Sequence, residues 1–446
     1  MTAELALSHP HKRIWAIAGP AIIANSSAPL VGLVDTWVIG HLPNALHLAA
    51  VSVGAMVFSY IFWAFGFLRM STTGMVAQAH GQKDDDQLRR VMVRAAMLGL
   101  LIGTILLLLQ PQIFSLALAA LTPPKSTEAL FRAYFDIRIW SAPASLMIYA
   151  INGYLIGVAR ARTALMLQLV LNITNGVLNL VFVLGLDMGV SGIALGSLIA
   201  EWLACLFGLV LLFRALGLGA TLAAARQRLT WSADKLLKLL NTNGFIFIRT
   251  LMLMTALGLV TREAGKLGAA ELAASHVLST FLMLISLGLD GFAYAAEALA
   301  GAAYGRKNRR EFRAWVKVTF LWVALAAVFY TLGFALFGEA LIYTLTDIAA
   351  VRDAATYSLP VLVALPVIAF ACYQYDGVYI GATAGGAMMG TMAIAFAAFL
   401  LVLAPLTDAY GLMGLWLAVG IFMGMRGLAQ AVYYPRIERR LDAGSG

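Results

Sequence analysis

Apolar runs of roughly 20 residues, each long enough to cross about 30 Å of hydrocarbon as a helix, recur along the whole chain with short polar breaks between them. Read from those breaks, the pattern predicts spans at 14–40, 46–79, 92–121, 129–157, 164–186 and 190–213. A second set is predicted at 239–263, 272–304, 315–345, 354–381, 388–407 and 411–434. The first run follows His9, His11, Lys12 and Arg13, as the core of a secretory leader would. It continues from Ile14 to Ile39, well past the roughly 7–15 residues of such a core, and is read as a span.

The two sets repeat one another. Ala79-His80-Gly81-Gln82-Lys83 parallels Ala303-Tyr304-Gly305-Arg306-Lys307 at an offset of 224 residues. The same offset brings Tyr149, Gly153, Ile156 and Gly157 onto Tyr373, Gly377, Ile380 and Gly381, and Leu48-Ala49-Ala50 onto Leu272-Ala273-Ala274. Each repeat holds an even number of spans, so both start on the same side and are parallel repeats about an axis normal to the membrane. The expected architecture is an all-α integral membrane protein of twelve transmembrane helices in two pseudo-symmetric six-helix bundles. Residues 1–213 form the first, 214–238 a cytoplasmic linker, and 239–446 the second.

Charge then sets the orientation. With the amino terminus inside, the even-numbered loops and both termini carry roughly 22 Lys plus Arg against roughly 6 on the other side. An omitted or invented span would invert every later loop, so this asymmetry supports an even number with both ends cytoplasmic, in a bacterial inner membrane. Arg226, Arg228, Lys235 and Lys238, interleaved with Leu229, Trp231, Leu236 and Leu239, predict a basic amphipathic linker lying on the cytoplasmic leaflet. Composition agrees: 61% of the 446 residues are hydrophobic, 12% are charged and mean hydropathy is +0.86. The net charge of +9 lies in loops and reads as lipid contact, not nucleic-acid binding. Cys205 and Cys372 stand singly and predict neither disulfide nor metal site.

Ionisable residues inside spans are the functional candidates, because lipid tolerates them only against protein or water. Asp35 leads, in Gly32-Leu33-Val34-Asp35-Thr36 near the outer end of a span that also holds Pro20 and Pro29. Each proline removes a backbone donor and permits a bend, so these two are the candidate hinges. A hydrated, structural carboxylate near the interface is the alternative reading. After a small shift in register from the 224-residue offset, Gly258-Leu259-Val260-Thr261 aligns with Gly32-Leu33-Val34-Asp35 and leaves Thr261 where the first half has its carboxylate, which confines any site built on Asp35 to the first half.

Asn175 and Asn179 lie four apart on one helical face, at a depth similar to Ser197, and can hydrogen-bond Asp35. Interhelical polar packing is the alternative for each. Glu201, Asp290, Glu297, Asp376 and Arg249 are further intramembrane charges that either contact substrate or serve structure. Depth matches Arg249 with Glu297 as an ion pair, while Asp290 and Asp376 are candidates for a cationic substrate. No phosphate-binding loop, zinc motif or catalytic triad signature is present in the sequence.

Pro20, Gly32-Leu33-Val34-Asp35-Thr36, Asn175-Gly176-Val177-Leu178-Asn179, Leu289-Asp290-Gly291-Phe292-Ala293-Tyr294 with Glu297, and Tyr375-Asp376-Gly377-Val378-Tyr379-Ile380-Gly381-Ala382-Thr383 occur in this order. In them the chain resembles the multidrug and toxic compound extrusion (MATE) family, within it the DinF-like bacterial branch. The resemblance implies an outward-opening V of two bundles. It also implies export of amphiphilic, often cationic drugs and toxins by antiport with protons or sodium, needing no cofactor, by a protein acting as a monomer. Coupling falls on Asp35, with Asn175, Asn179 and Ser197 around it. Many relatives carry Asp at the position of Asn179, so the two-carboxylate arrangement suited to sodium is incomplete here, and the resemblance then favours protons. A lipid-linked precursor flippase, which calls for a cationic central cavity, and an intramembrane enzyme, which calls for clustered nucleophile and base, are the rival expectations.

Overall fold

A computed structural model describes residues 9–40, 45–122 and 124–442. The first half holds α1 (Pro10–Gly40), α2 (Ala45–Ala64), α3 (Phe67–Gln82), α4 (Asp85–Leu108), α5 (Gln110–Leu121), α6 (Glu128–Arg138), α7 (Ala142–Gly157), α8 (Ala161–Leu180) and α9 (Gly189–Leu216). After α10 (Leu218–Arg226) come α11 (Ala233–Leu267), α12 (Ala269–Gly305), α13 (Arg309–Leu345), α14 (Ala349–Gly381) and α15 (Gly385–Arg439). No strand occurs among the described residues.

Eleven stretches are long and apolar enough to cross a membrane. The twelfth is hidden in α15, whose 55 residues would reach ~80 Å if straight, far more than a bilayer. Gly411 breaks it with φ +56 and ψ −133, and Gly414 then sits directly on the Leu406 carbonyl. The two predicted spans at 388–407 and 411–434 meet at this corner.

Other spans bend where hydropathy gives no sign. The second divides at Phe65 and Gly66, the third at Leu109 ahead of Pro111, and the fourth at a 3-10 turn, Ile139–Ser141, just before Pro143. The linker is ordered against α4. Arg89 Nε donates to the Leu216 carbonyl at 3.0 Å and Arg90 to Gln227 at 3.3 Å, while Leu218, Leu222 and Leu229 are exposed beside Arg226 and Arg228.

The sequence repeat has a structural cause at two of its three blocks. Lys83 and Lys307 end α3 and α12 in the left-handed region, at φ 58 and 54. Asp84 and Asn308 then send their backbone N–H back to Ala79 and Ala303, both at 3.1 Å. Their side chains in turn cap α4 and α13, accepting from Gln87 N at 2.7 Å and Glu311 N at 3.0 Å. In the other block, glycines let backbones touch. Gly153 packs on Arg69 O and Gly157 on Thr73 O, both in α3; Gly377 packs on Ala293 O and Gly381 on Glu297 O, both in α12. Every one of these pairs obeys the 224-residue offset.

A side-chain carbon at Gly381 would lie 2.8 Å from Glu297 O and 3.0 Å from Gly301 N. Gly381→Ala is therefore expected to destabilise the purified protein by about 1–3 kcal/mol, read as an earlier thermal transition in detergent.

Contacts divide the chain into two units, one of residues 23–239 and one joining residues 9–22 to 240–442. The division differs from the sequence boundaries at 213 and 239, because the first turns of α1 group with the second half. Trp15 meets the rings of Phe292 and Trp322 edge-on, each at 5.3 Å between centroids, and Arg13 lies over the Trp315 ring at 5.2 Å. Aromatic and cation–π contacts of this kind are directional and hold the entry of α1 to α12 and α13.

Candidate functional site

In the unit of residues 23–239, α8 carries Asn172, Asn175 and Asn179 at spacings of three and four, which aligns their side chains along one face. The chain widens into a π turn at Val181–Gly185 immediately after Asn179, a departure from α-geometry that often accompanies functional sites. Ser197 reaches the group from α9 and Asp35 from α1.

Asn179 is fully buried, and its Nδ2 donates to Asp35 Oδ1 at 2.6 Å and to Asn175 Oδ1 at 3.3 Å. Asn175 Nδ2 donates onward to Ser197 Oγ at 2.8 Å. Two acceptors fix which end of the Asn179 amide faces the carboxylate. Its Oδ1 has no partner and is pressed against Gly196, where any side chain would strike it. A second string runs alongside: Gln168 Nε2 donates to Asn172 Oδ1 at 2.9 Å, and Asn172 Nδ2 to Ser27 Oγ at 2.7 Å. Ser27 lies between Pro20 and Pro29, so α8 holds α1 at two heights, by Ser27 and by Asp35. The side chain of Thr36, also part of the first-span motif, lies outside the described residues.

Within this network Asp35 is the one ionisable group; the others are amides and the hydroxyls of Ser27 and Ser197. The arrangement can answer a change of charge on one carboxylate with a rearrangement of hydrogen bonds between α1 and α8. Removing Ser197 Oγ tests its stiffness. Ser197→Ala leaves a buried Asn175 N–H without its acceptor and is expected to cost about 1–3 kcal/mol in thermal stability.

Glu201 is on the same face of α9, one turn beyond Ser197, and is ion-paired with Arg138. In the unit holding α11 to α15, Asp376 of α14 is ion-paired with Arg249 of α11 and accepts from Arg426 Nη2 of α15 at 2.8 Å and from Gln430 Nε2 at 2.6 Å. Asp376 is thus the partner that Arg249 finds, a pairing that depth-matching with Glu297 did not single out. Glu297 is buried in α12 beneath Gly381, and Asp290 is half-buried on the same helix. Thr261, the counterpart of Asp35, turns its hydroxyl back to the Leu257 carbonyl at 3.3 Å.

Sequence reasoning passed over Arg138, Ser27 and Gln430. Gln430 stands near a span end, where a polar residue carries no signal of its own, and Arg138 lies in the polar first part of the fourth span beside Arg132 and Asp136. Ser27 belongs to Asn25-Ser26-Ser27, a polar triplet between two prolines in an apolar run, and that was a readable sign.

The family described as MatE matches residues 20–181 and 246–406, one stretch in each half. The chain is 37% identical over 430 residues to DNA damage-inducible protein F of Escherichia coli (strain K12), covering 96% of this chain and 93% of that protein. It is 28% identical over 463 residues to the chloroplastic protein DETOXIFICATION 44 of Arabidopsis thaliana, covering 97% and 85%. Among solved structures, the outward-facing conformation of a multidrug resistance MATE family transporter of the MOP superfamily matches with a TM-score of 0.84. That match covers 100% of this chain and 98% of the other at 22% identity, and it speaks for the fold.

Proposed function

The chain belongs to the MatE family, and from that premise we propose that it is a secondary active transporter exporting amphiphilic and cationic organic compounds in exchange for protons. It sits in a bacterial inner membrane with both termini cytoplasmic, and Asp35 is the coupling carboxylate. The observation that carries the reading is the bond from Asn179 to Asp35, continued through Asn175 to Ser197. An intramembrane acid bonded by a neutral amide has one exchangeable proton, and among the described residues no second carboxylate hydrogen-bonds into this string to complete a sodium site.

A proton arriving from outside removes the charge that the Asn179 amide recognises and weakens the hold of α8 on α1. The segment of α1 between Pro20 and Pro29 then bends, because each proline leaves one helical hydrogen bond unmade. Bending narrows the space in the first bundle and expels the substrate; ionisation toward the cytoplasm restores the helix.

Reconstitution in liposomes tests this. Ethidium, a flat organic cation, is expected to accumulate when the lumen is acidic, since protons leaving the lumen drive the cation in. Accumulation should vanish with a protonophore. Equal accumulation driven by a sodium gradient at uniform pH would contradict proton coupling.

A further inference from the structure

The Asp35 network continues, one turn along α9, into an ion pair that proton exchange alone does not require. Arg138, the last residue of α6, bonds Glu201 Oε1 through Nη2 and Ser141 Oγ through Nη1. Ser145 Oγ of α7 donates to Glu201 Oε2. Each side chain of the pair is only 11% exposed, and the guanidinium lies over the rings of Phe58 and Phe62 of α2, at 5.5 and 5.6 Å. Four helices therefore fix one positive charge. A buried ion pair seldom adds net stability over apolar packing, so this much fixing calls for another reason.

The reason lies in what surrounds the pair. Ser197, which receives the Asp35 network, and Glu201 are four apart on one face of α9. Tyr134, one turn before Arg138 on α6, is buried with its ring against Phe58 at 6.2 Å. Asp35 reaches α9 through Asn179, Asn175 and Ser197, and Arg138 reaches the same face of α9 one turn further on through Glu201, so the two charges stand on neighbouring turns of one helix face. The charged and titratable groups facing this region are thus Asp35 from α1, Tyr134 and Arg138 from α6, and Glu201 and the buried thiol Cys205 from α9; α8 supplies neutral amides, α2 aromatic rings and α7 a hydroxyl.

We propose that Arg138 is a positioning residue of the coupling site: Glu201, Ser141 and Ser145 hold its guanidinium where its charge sets the external pH at which Asp35 exchanges its proton. Glu201 partly cancels that charge, so the two members of the pair act on Asp35 in opposite senses. This rests on Asp35 being the coupling group.

The test is the pH profile of ethidium accumulation in proteoliposomes. Arg138→Gln removes the favourable charge, and the midpoint is expected to rise by about one pH unit, tenfold in proton concentration. Glu201→Gln unmasks Arg138, and the midpoint is expected to fall by a similar amount. Arg138→Lys keeps the charge and should restore the midpoint toward that of the unmodified protein. A purely structural pair would lower the rate in all variants without moving midpoints in opposite directions. If Arg138→Gln cannot be recovered folded, Glu201→Gln decides alone, and an unshifted midpoint there overturns the proposal. Asp35→Asn, run in parallel, separates the two ideas: full pH-driven accumulation in that variant sinks the coupling reading itself, whereas its loss together with an unshifted Glu201→Gln profile sinks only the role of Arg138.

Discussion

Asp35→Asn is expected to abolish pH-driven accumulation of ethidium in proteoliposomes while leaving the protein folded. The substitution is isosteric, and its amide oxygen still accepts from Asn179 Nδ2, so the bond that now spans 2.6 Å between α8 and α1 survives. What is lost is the capacity to change charge. A proton that binds one conformation no better than the other cannot shift their populations, whatever the size of the gradient. Moving a two-state equilibrium from about 1:99 to 99:1 takes a roughly 10⁴-fold preference, or about 5.5 kcal/mol. A strongly conformation-dependent carboxylate supplies a large part of that. The gradient-driven rate should therefore fall by roughly two orders of magnitude, to near the protein-free background, with no remaining dependence on pH. Wild-type accumulation by this variant would remove Asp35 from the mechanism.

Asp376→Ala is expected to have the largest effect on stability. Asp376 is the shared counter-ion of Arg249 and Arg426, whose side chains are 6% and 4% exposed, and it joins α11, α14 and α15 at one point. Its removal leaves two buried guanidinium groups facing each other with Gln430 Nε2 unsatisfied. Breaking a buried ion pair from one side costs about 3–5 kcal/mol, and two like charges are left here. The purified protein should unfold at markedly lower temperature. Adding Arg249→Met should recover part of the loss, because it removes one unpaired charge. Had Asp376 instead been free to receive a cationic substrate, the Ala variant would keep its thermal transition and lose drug affinity. That outcome would reassign Asp376.

Hydropathy alone placed the spans well because lipid imposes one requirement on all of them, a long apolar helix. It was silent where the helix changes direction inside a span, as at Phe65, Leu109 and the turn ahead of Pro143, since such a bend leaves the apolar run unbroken. The repeat was legible for a physical reason: close backbone approach at Gly153 and Gly157, matched at Gly377 and Gly381, excludes every larger residue.

The proximity of Asp35, Asn175, Asn179 and Ser197 was legible from helical spacing and depth together. Depth without azimuth failed for Arg249, because a sequence gives height along a helix but not which neighbour the helix turns toward. Arg138 was invisible for the opposite reason. It lies inside the predicted fourth span, but next to Arg132 and Asp136 it does not stand out as a lone intramembrane charge, and only the packing of α6 against α9 reveals that it is buried against Glu201.

The corner at Gly411 has a practical bearing on anyone labelling this protein. With Gly414 seated on the Leu406 carbonyl, the last two membrane crossings are joined without slack. A reporter peptide or fluorophore carrier spliced in there would have to pry the crossings apart. A small label belongs instead on the exposed face of the linker helix, at Leu222, since Thr221 and Ala224 on its other face are buried and would not tolerate an insertion.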